Sequence, residues 1–421
     1  LKRYGVTTVL CWRSFDLPER NTMKKIQELQ QVKGDAYDYY IAGNEDTDLF
    51  EKIFLVDDIV EEICKPDKYF LIGEKGSGKT AYSVYMSKSD KINSFCSISL
   101  VENTLYQRFL NMKRQKALEL SSFKDVWINL IYLILAEKIR KEYGETFFSS
   151  IKYKQLSKAI DVFYSDAFKP EFVNAFEFVD NASASINSMM KQGLFSTGTK
   201  ASAETSQKYV EQSFQISLLK IRDGFEKAFM SVNLKKPTIL FVDGIDARPR
   251  DIDNEQYFEC LVGLVNAVLE MNQSFLKEKQ IKIMLLIRPD IMYKMPVHNM
   301  NQKLRNNSVL LNWVTSYRKY IDSKLFKIAD DYFMKQQDYS YELGECWNYY
   351  FPYKVEYQEK RKAPDNPFVE FLRYSLYKPR DILTMLNEMV DATSGTQFKH
   401  SDFEGILSNY STYLKGELKD Y

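Results

Sequence analysis

Histidine is almost missing from this chain: His298 and His400 are the only two among 421 residues. A zinc site built on imidazole is therefore not expected. Cysteine is sparse as well. Cys11, Cys64, Cys96, Cys260 and Cys346 stand far apart and form no C-x-x-C pair. They read as reduced, mostly buried thiols in a reducing compartment. No run of about 18 apolar residues occurs, so no membrane span is expected, and no charged-then-apolar leader is present. An excess of one charge is missing too. Lys and Arg number 58 against 57 Asp and Glu, a net charge of +1. That balance argues against a globally basic nucleic-acid binder and leaves only a local patch open. The cytoplasm is the expected location. The chain begins at Leu1, so a preceding segment is expected.

What is present is a large apolar fraction, 45% of the residues. At roughly 150 residues per domain, the length predicts two or three units. Short apolar runs bounded by turn-forming residues predict strands at 68–72, 94–100, 238–242 and 281–287, with a short last one at 309–311. A further β-branched run occupies 7–11. Amphipathic spacing predicts helices at 23–32, 46–63, 81–86, 123–139, 214–229 and 257–271. The Gly/Ser/Thr-rich stretch 191–207 predicts a loop. Strands of four to seven residues alternating with helices predict an α/β unit, a parallel sheet covered on both faces, over residues 46–312. Residues 1–45 form an N-terminal segment, either the tail of an upstream domain or a strap on the next one. Residues 313–421 form a helical C-terminal domain. No internal repeat is found.

Chemistry is concentrated at strand ends. Gly73-Glu74-Lys75-Gly76-Ser77-Gly78-Lys79-Thr80 fits G-x-x-x-x-G-K-[ST], and it lies between a predicted strand and a predicted helix that Ala81 helps to open. The glycines allow a tight wrap with N–H groups turned toward phosphate oxygens, and the helix N-terminus favours negative charge. Lys79 is expected to reach the β- and γ-phosphates of ATP, and the Thr80 hydroxyl to help hold Mg²⁺. The apolar run Thr238–Val242 ends in Asp243, which would deliver a carboxylate beside that loop as the second Mg²⁺ group. Asp246, three residues on, would place the attacking water, or would merely cap a turn. Arg288, at the end of the 281–287 strand, would touch the γ-phosphate, or would pair with Asp290 at the surface. Pro379 predicts a helix start that puts Arg380 on the first turn, able to swing toward a nucleotide. The C-terminal helices would then act as a lid.

The set GEKGSGKT, ILFVDGID, LLIRPD and KPRDIL resembles AAA+ and STAND-type P-loop ATPases, and DGID is similar to the second motif of NACHT-like members. The resemblance implies a P-loop NTPase three-layer fold with a helical insertion at about 123–235 and a helical lid. It implies Lys79 and Thr80 as nucleotide and Mg²⁺ ligands and Asp243 as the metal acid. Arg288 and Arg380 correspond to sensing arginines. It further implies an ATP-hydrolysing switch of a bacterial group linked to anti-phage defence. Such a switch would oligomerise and control a partner or fused effector, with a phage protein or nucleic acid as trigger. The chain departs from the NACHT-like pattern at Ala247, where another acid is usual. Arg248, Arg250 and Arg305 are candidate arginine fingers toward a neighbouring subunit; surface ion pairs are the alternative. The runs 113–116 and 360–362 are basic enough to meet phosphate, or to form solvated faces. A nucleic-acid-stimulated motor and a non-hydrolysing ATP-binding scaffold are the rival readings.

Overall fold

The computed structural model describes residues 23–41, 44–101, 123–148, 153–166, 218–245, 254–295, 304–355 and 365–419. The expected strand at 7–11, the loop at 191–207 and the basic runs at 113–116 and 360–362 lie outside them. The chain divides into two compact units. One comprises Lys33–Thr315 with Tyr377–Asp381; the other comprises Leu1–Val32, Ser316–Leu376 and Ile382–Tyr421. Among the described residues, no helix is long and apolar enough to cross a membrane.

The first unit is α/β. Its strands are β1 (Phe70–Ile72), β2 (Phe95–Leu100), β3 (Thr238–Asp243), β4 (Ile281–Ile287) and β5 (Ser308–Leu310). All neighbouring pairs are parallel, in the order β2-β3-β4-β1-β5. β3 and β4 are buried along their whole length. Parallel strands need both faces covered, which explains why these two read as nearly continuous apolar runs, with Lys282 the one charge between their ends, and not as alternating ones. Ahead of β1 come α1 (Tyr37–Ile41), α2 (Asn44–Ile53) and α3 (Asp58–Cys64). Helix α4 (Lys79–Lys88) joins β1 to β2. Between β2 and β3 lie α5 (Phe123–Phe148), α6 (Lys154–Asp166) and the helical residues 218–231. Helix α8 (Asn254–Asn272) leads to β4, and α9 (Pro289–Lys294) follows it; the segment 218–231 is α7.

The core joins sheet and helices. Val126 to Leu133 of α5 are all buried, so this stretch of the helix is covered on every side and not amphipathic. The Trp127 indole donates to the Cys260 carbonyl on α8 at 3.0 Å, and Tyr132 stacks on Phe229 of α7 at 5.5 Å. Arg222 of α7 ties the three helices at their polar rim, reaching Glu226 and Glu270 at 2.7 Å and Asp125 at 3.8 Å.

The second unit is helical: α10 (Lys324–Met334), α11 (Glu345–Tyr350), α12 (Phe368–Tyr374), α13 (Pro379–Ala392, from Ile382 onward in this unit) and α14 (His400–Lys419). Its centre is aromatic. Trp347 stacks on Phe351 at 4.1 Å and meets Phe326, Phe368 and Phe371 edge-on. The helix expected over 23–32 is not there: only Ile26–Glu28 turns, as a 3₁₀ segment. The neighbouring amides are taken by other groups. Lys24 donates to Gln337, Gln30 to Gln336, Val32 to Asn387 and Ile26 to the Gly395 carbonyl. Ile26, Leu29 and Val32 are buried. Tertiary partners thus replace the i→i−4 bonds that propensity alone would favour.

Candidate functional site

In a parallel sheet all strands end on the same side. The C-terminal edge here carries Gly73 after β1, Val101 after β2, Asp243 closing β3, Arg288 after β4 and Leu311 after β5. The chain leaves β1 toward β2 across β4 and β3, and leaves β4 toward β5 across β1. Right-handed crossovers running in opposite directions leave their helices on opposite faces, which opens a crevice at this edge beside β1.

The loop 73–78 fills that crevice. Gly76 and Gly78 hold φ at 79° and 92°, a left-handed region that a side chain would strain. The loop carbonyls are engaged one by one. Gly73 and Glu74 accept from the Lys79 ammonium at 2.9 and 3.2 Å. Gly76 accepts from the Arg380 amide at 3.4 Å, Ser77 from the Trp313 indole at 2.9 Å, and Gly78 from the Tyr82 amide at 3.0 Å. The amides of Gly76 and Gly78 meet no protein acceptor among the described residues. Carbonyls drawn away and amides left over make a concavity suited to an anion, at the N-terminus of the ten-residue α4.

Lys79 and Thr80 open α4, and Ala81 completes its first turn. The Thr80 hydroxyl donates to Asp243 Oδ2 at 2.6 Å. The other carboxylate oxygen accepts from the Gly244 amide at 2.7 Å. The Asp243 carbonyl accepts from Val101 at 2.8 Å, so β2 helps to seat it. The hydroxyl and carboxylate, 163 positions apart in sequence, thus share one point beside the loop. They are hard oxygen donors of the kind Mg²⁺ takes. No group of three or more His, Cys, Asp or Glu side chains placed to hold a metal ion occurs among the described residues.

The expected arginines sit as follows. Arg288 is 4% exposed and forms a two-pronged pair with Asp290, both contacts 2.9 Å. The pairing with Asp290 is thus present, with the guanidinium buried and the carboxylate partly exposed. Arg380 is half-buried, and its side chain runs along Gly76. Arg305 is exposed. Asp246, Ala247, Arg248 and Arg250 lie outside the described residues. Glu74 is exposed and Lys75 half-buried.

Two further residues belong to this site. Lys378 is only 5% exposed and lies 3.3 Å from the Glu74 carboxylate. It follows Tyr377, which holds φ at 55°, a strained value for tyrosine. Trp313 fixes the Ser77 carbonyl. Lys378 precedes Pro379-Arg380, but nothing in the sequence links it to Glu74, and Trp313 reads only as the residue after a strand. Compared with protein-family models, curated proteins and solved structures, the chain matches none. Its likeness to AAA+ and STAND ATPases therefore rests on its four short motifs.

Proposed function

We propose that this edge is the site of a P-loop ATPase that binds ATP with Mg²⁺ and hydrolyses it. The observation that carries the reading is the 2.6 Å bond between Thr80 and Asp243 beside a loop whose Gly76 and Gly78 amides meet no protein acceptor among the described residues. A loop of this kind binds the phosphate chain through backbone N–H groups, and the Lys79 ammonium adds a charge that can pass from the Gly73 and Glu74 carbonyls to phosphate. Thr80 and Asp243 are the residues that would hold Mg²⁺, which when bound neutralises charge on the β- and γ-phosphate oxygens. Asp246, on sequence grounds, orients the attacking water. Arg380 and Lys378 couple the loop to the chain that follows, so that nucleotide state is felt at the start of α13. The motif resemblance alone supports the wider reading, a regulatory switch that works through self-assembly and an effector in anti-phage defence.

The test is equilibrium binding of a fluorescent ATP analogue with Mg²⁺, alongside phosphate release. Lys79→Ala should weaken binding by 100-fold or more. Asp243→Asn should bind within about tenfold of the parent and lose most turnover. Undiminished binding by the Lys79→Ala protein would sink the reading.

A further inference from the structure

The opposite edge of the sheet carries a second feature. A cavity of about 290 Å³ opens where β3 and β4 begin, lined among others by Pro237, Thr238, Ile239, Lys277 and Lys282. Two of its lining residues are lysines and none is Asp or Glu. Strand β4 separates it from the Gly-rich loop by about 20 Å, at roughly 3.3 Å per residue.

Lys282 is unusual. It is 7% exposed. Its ammonium donates to the Ile63 carbonyl and, at 2.9 Å, to the Lys65 carbonyl, closing the C-terminal end of α3. An ammonium has three donors, and these two carbonyls use two. No carboxylate lies within ion-pair distance among the described residues; Asp67 acts on it only through space. Helix capping accounts for two bonds. It accounts neither for a charge buried with no counter-ion among the described residues, which is costly, nor for a cavity beside it whose described lining holds no acid.

We propose that this cavity binds a small organic monoanion, a carboxylate on an apolar body, with Lys282 as its counter-charge. The carboxylate would accept the third N–H of Lys282, with Lys277 reinforcing the field at the mouth. Pro237, Ile239 and the neighbouring Ile281 would cover the apolar body. Small-ligand sites commonly pair a mostly apolar lining with one well-placed charge. The volume admits one or two rings. This site is separate from the ATP reading and stands without it.

The probe is benzoate, with benzamide as its neutral isostere, titrated calorimetrically into the full chain near pH 7. Benzoate should bind saturably and at least tenfold more tightly than benzamide, and Lys282→Met should lose at least tenfold. In the unaltered protein, benzoate should slow acetylation of Lys282 by acetic anhydride, read by peptide mass spectrometry, and leave exposed Lys227 and Lys335 unaffected. That arm holds even if the variant fails to fold. Equal binding of benzoate and benzamide, or no protection of Lys282, overturns the proposal. ATP binding should be the same with and without benzoate.

Discussion

A lysine ammonium in water is strongly hydrated, and Lys282 is largely shielded from solvent. Burial pushes its pKa down from 10.5 to about 8, against the opposing pull of Cys64, Cys96 and Asp67. The consequence for stability has a definite sign. Between about pH 8 and 10.5 the unfolded chain holds a proton at this position that the folded chain has released, so stability rises with pH across that window. The contribution is fully present above 10.5 and is lost as pH falls through 8. One proton is worth at most about 1.4 kcal/mol per pH unit. Urea unfolding at pH 7.5, 8.5 and 9.5 should show the parent gaining on Lys282→Met as pH rises. A difference that stays flat would mean the amine is better solvated than its burial indicates.

At the scale of elements, short helices here depend on partners outside themselves. Helix α11 has six residues, too few to be stable alone. Asp330, on α10 and wholly buried, accepts from the amides of Gly344 and Trp347 at 2.7 and 2.8 Å and so caps α11 from a neighbouring helix. Burial raises the Asp330 pKa, while those two hydrogen bonds act to lower it. Asp330→Ala leaves two amides without an acceptor inside an aromatic core. It should cost about 2–3 kcal/mol, read as a lower urea midpoint with loss of near-ultraviolet tryptophan signal. Asp330→Asn keeps one acceptor oxygen and should recover part of that loss. The segment 24–32 follows the same logic: its amides find Gln336, Gln337 and Asn387, and it becomes a strap instead of a helix.

For the whole molecule, a ligand that binds only the folded state adds RT ln(1 + [L]/Kd), about 2.7 kcal/mol at a hundredfold excess over Kd. ATP with Mg²⁺ should accordingly raise the unfolding temperature by a few degrees. ATP with EDTA should do less, because Thr80 and Asp243 would then lack the ion that links them to phosphate. Scanning calorimetry of the Lys79→Ala protein should show neither effect. An equal shift in that variant would place the stabilising ATP elsewhere.

Much of the α/β unit could be read directly from the chain. The strands at β2, β3 and β4 lie within a residue of their expected limits, because a short strand of a covered parallel sheet is a mostly apolar run flanked by turn residues. The Gly-rich loop and Asp243 were equally legible, since their residue types and positions at strand ends are local properties. Contacts that depend on distant segments were not. Nothing local predicts that Lys378 meets Glu74, that Trp313 holds the Ser77 carbonyl, or that Gln336 and Asn387 replace helical bonds near Val32. Nor does any local signal mark Lys282, one polar residue in an apolar strand, as a buried side chain lining a cavity with no Asp or Glu among its described residues. Local sequence determined which segments could be strands and which residues would stand at their ends. Only the tertiary structure, by ordering the strands β2-β3-β4-β1-β5 and closing helices around them, decided which of those residues meet.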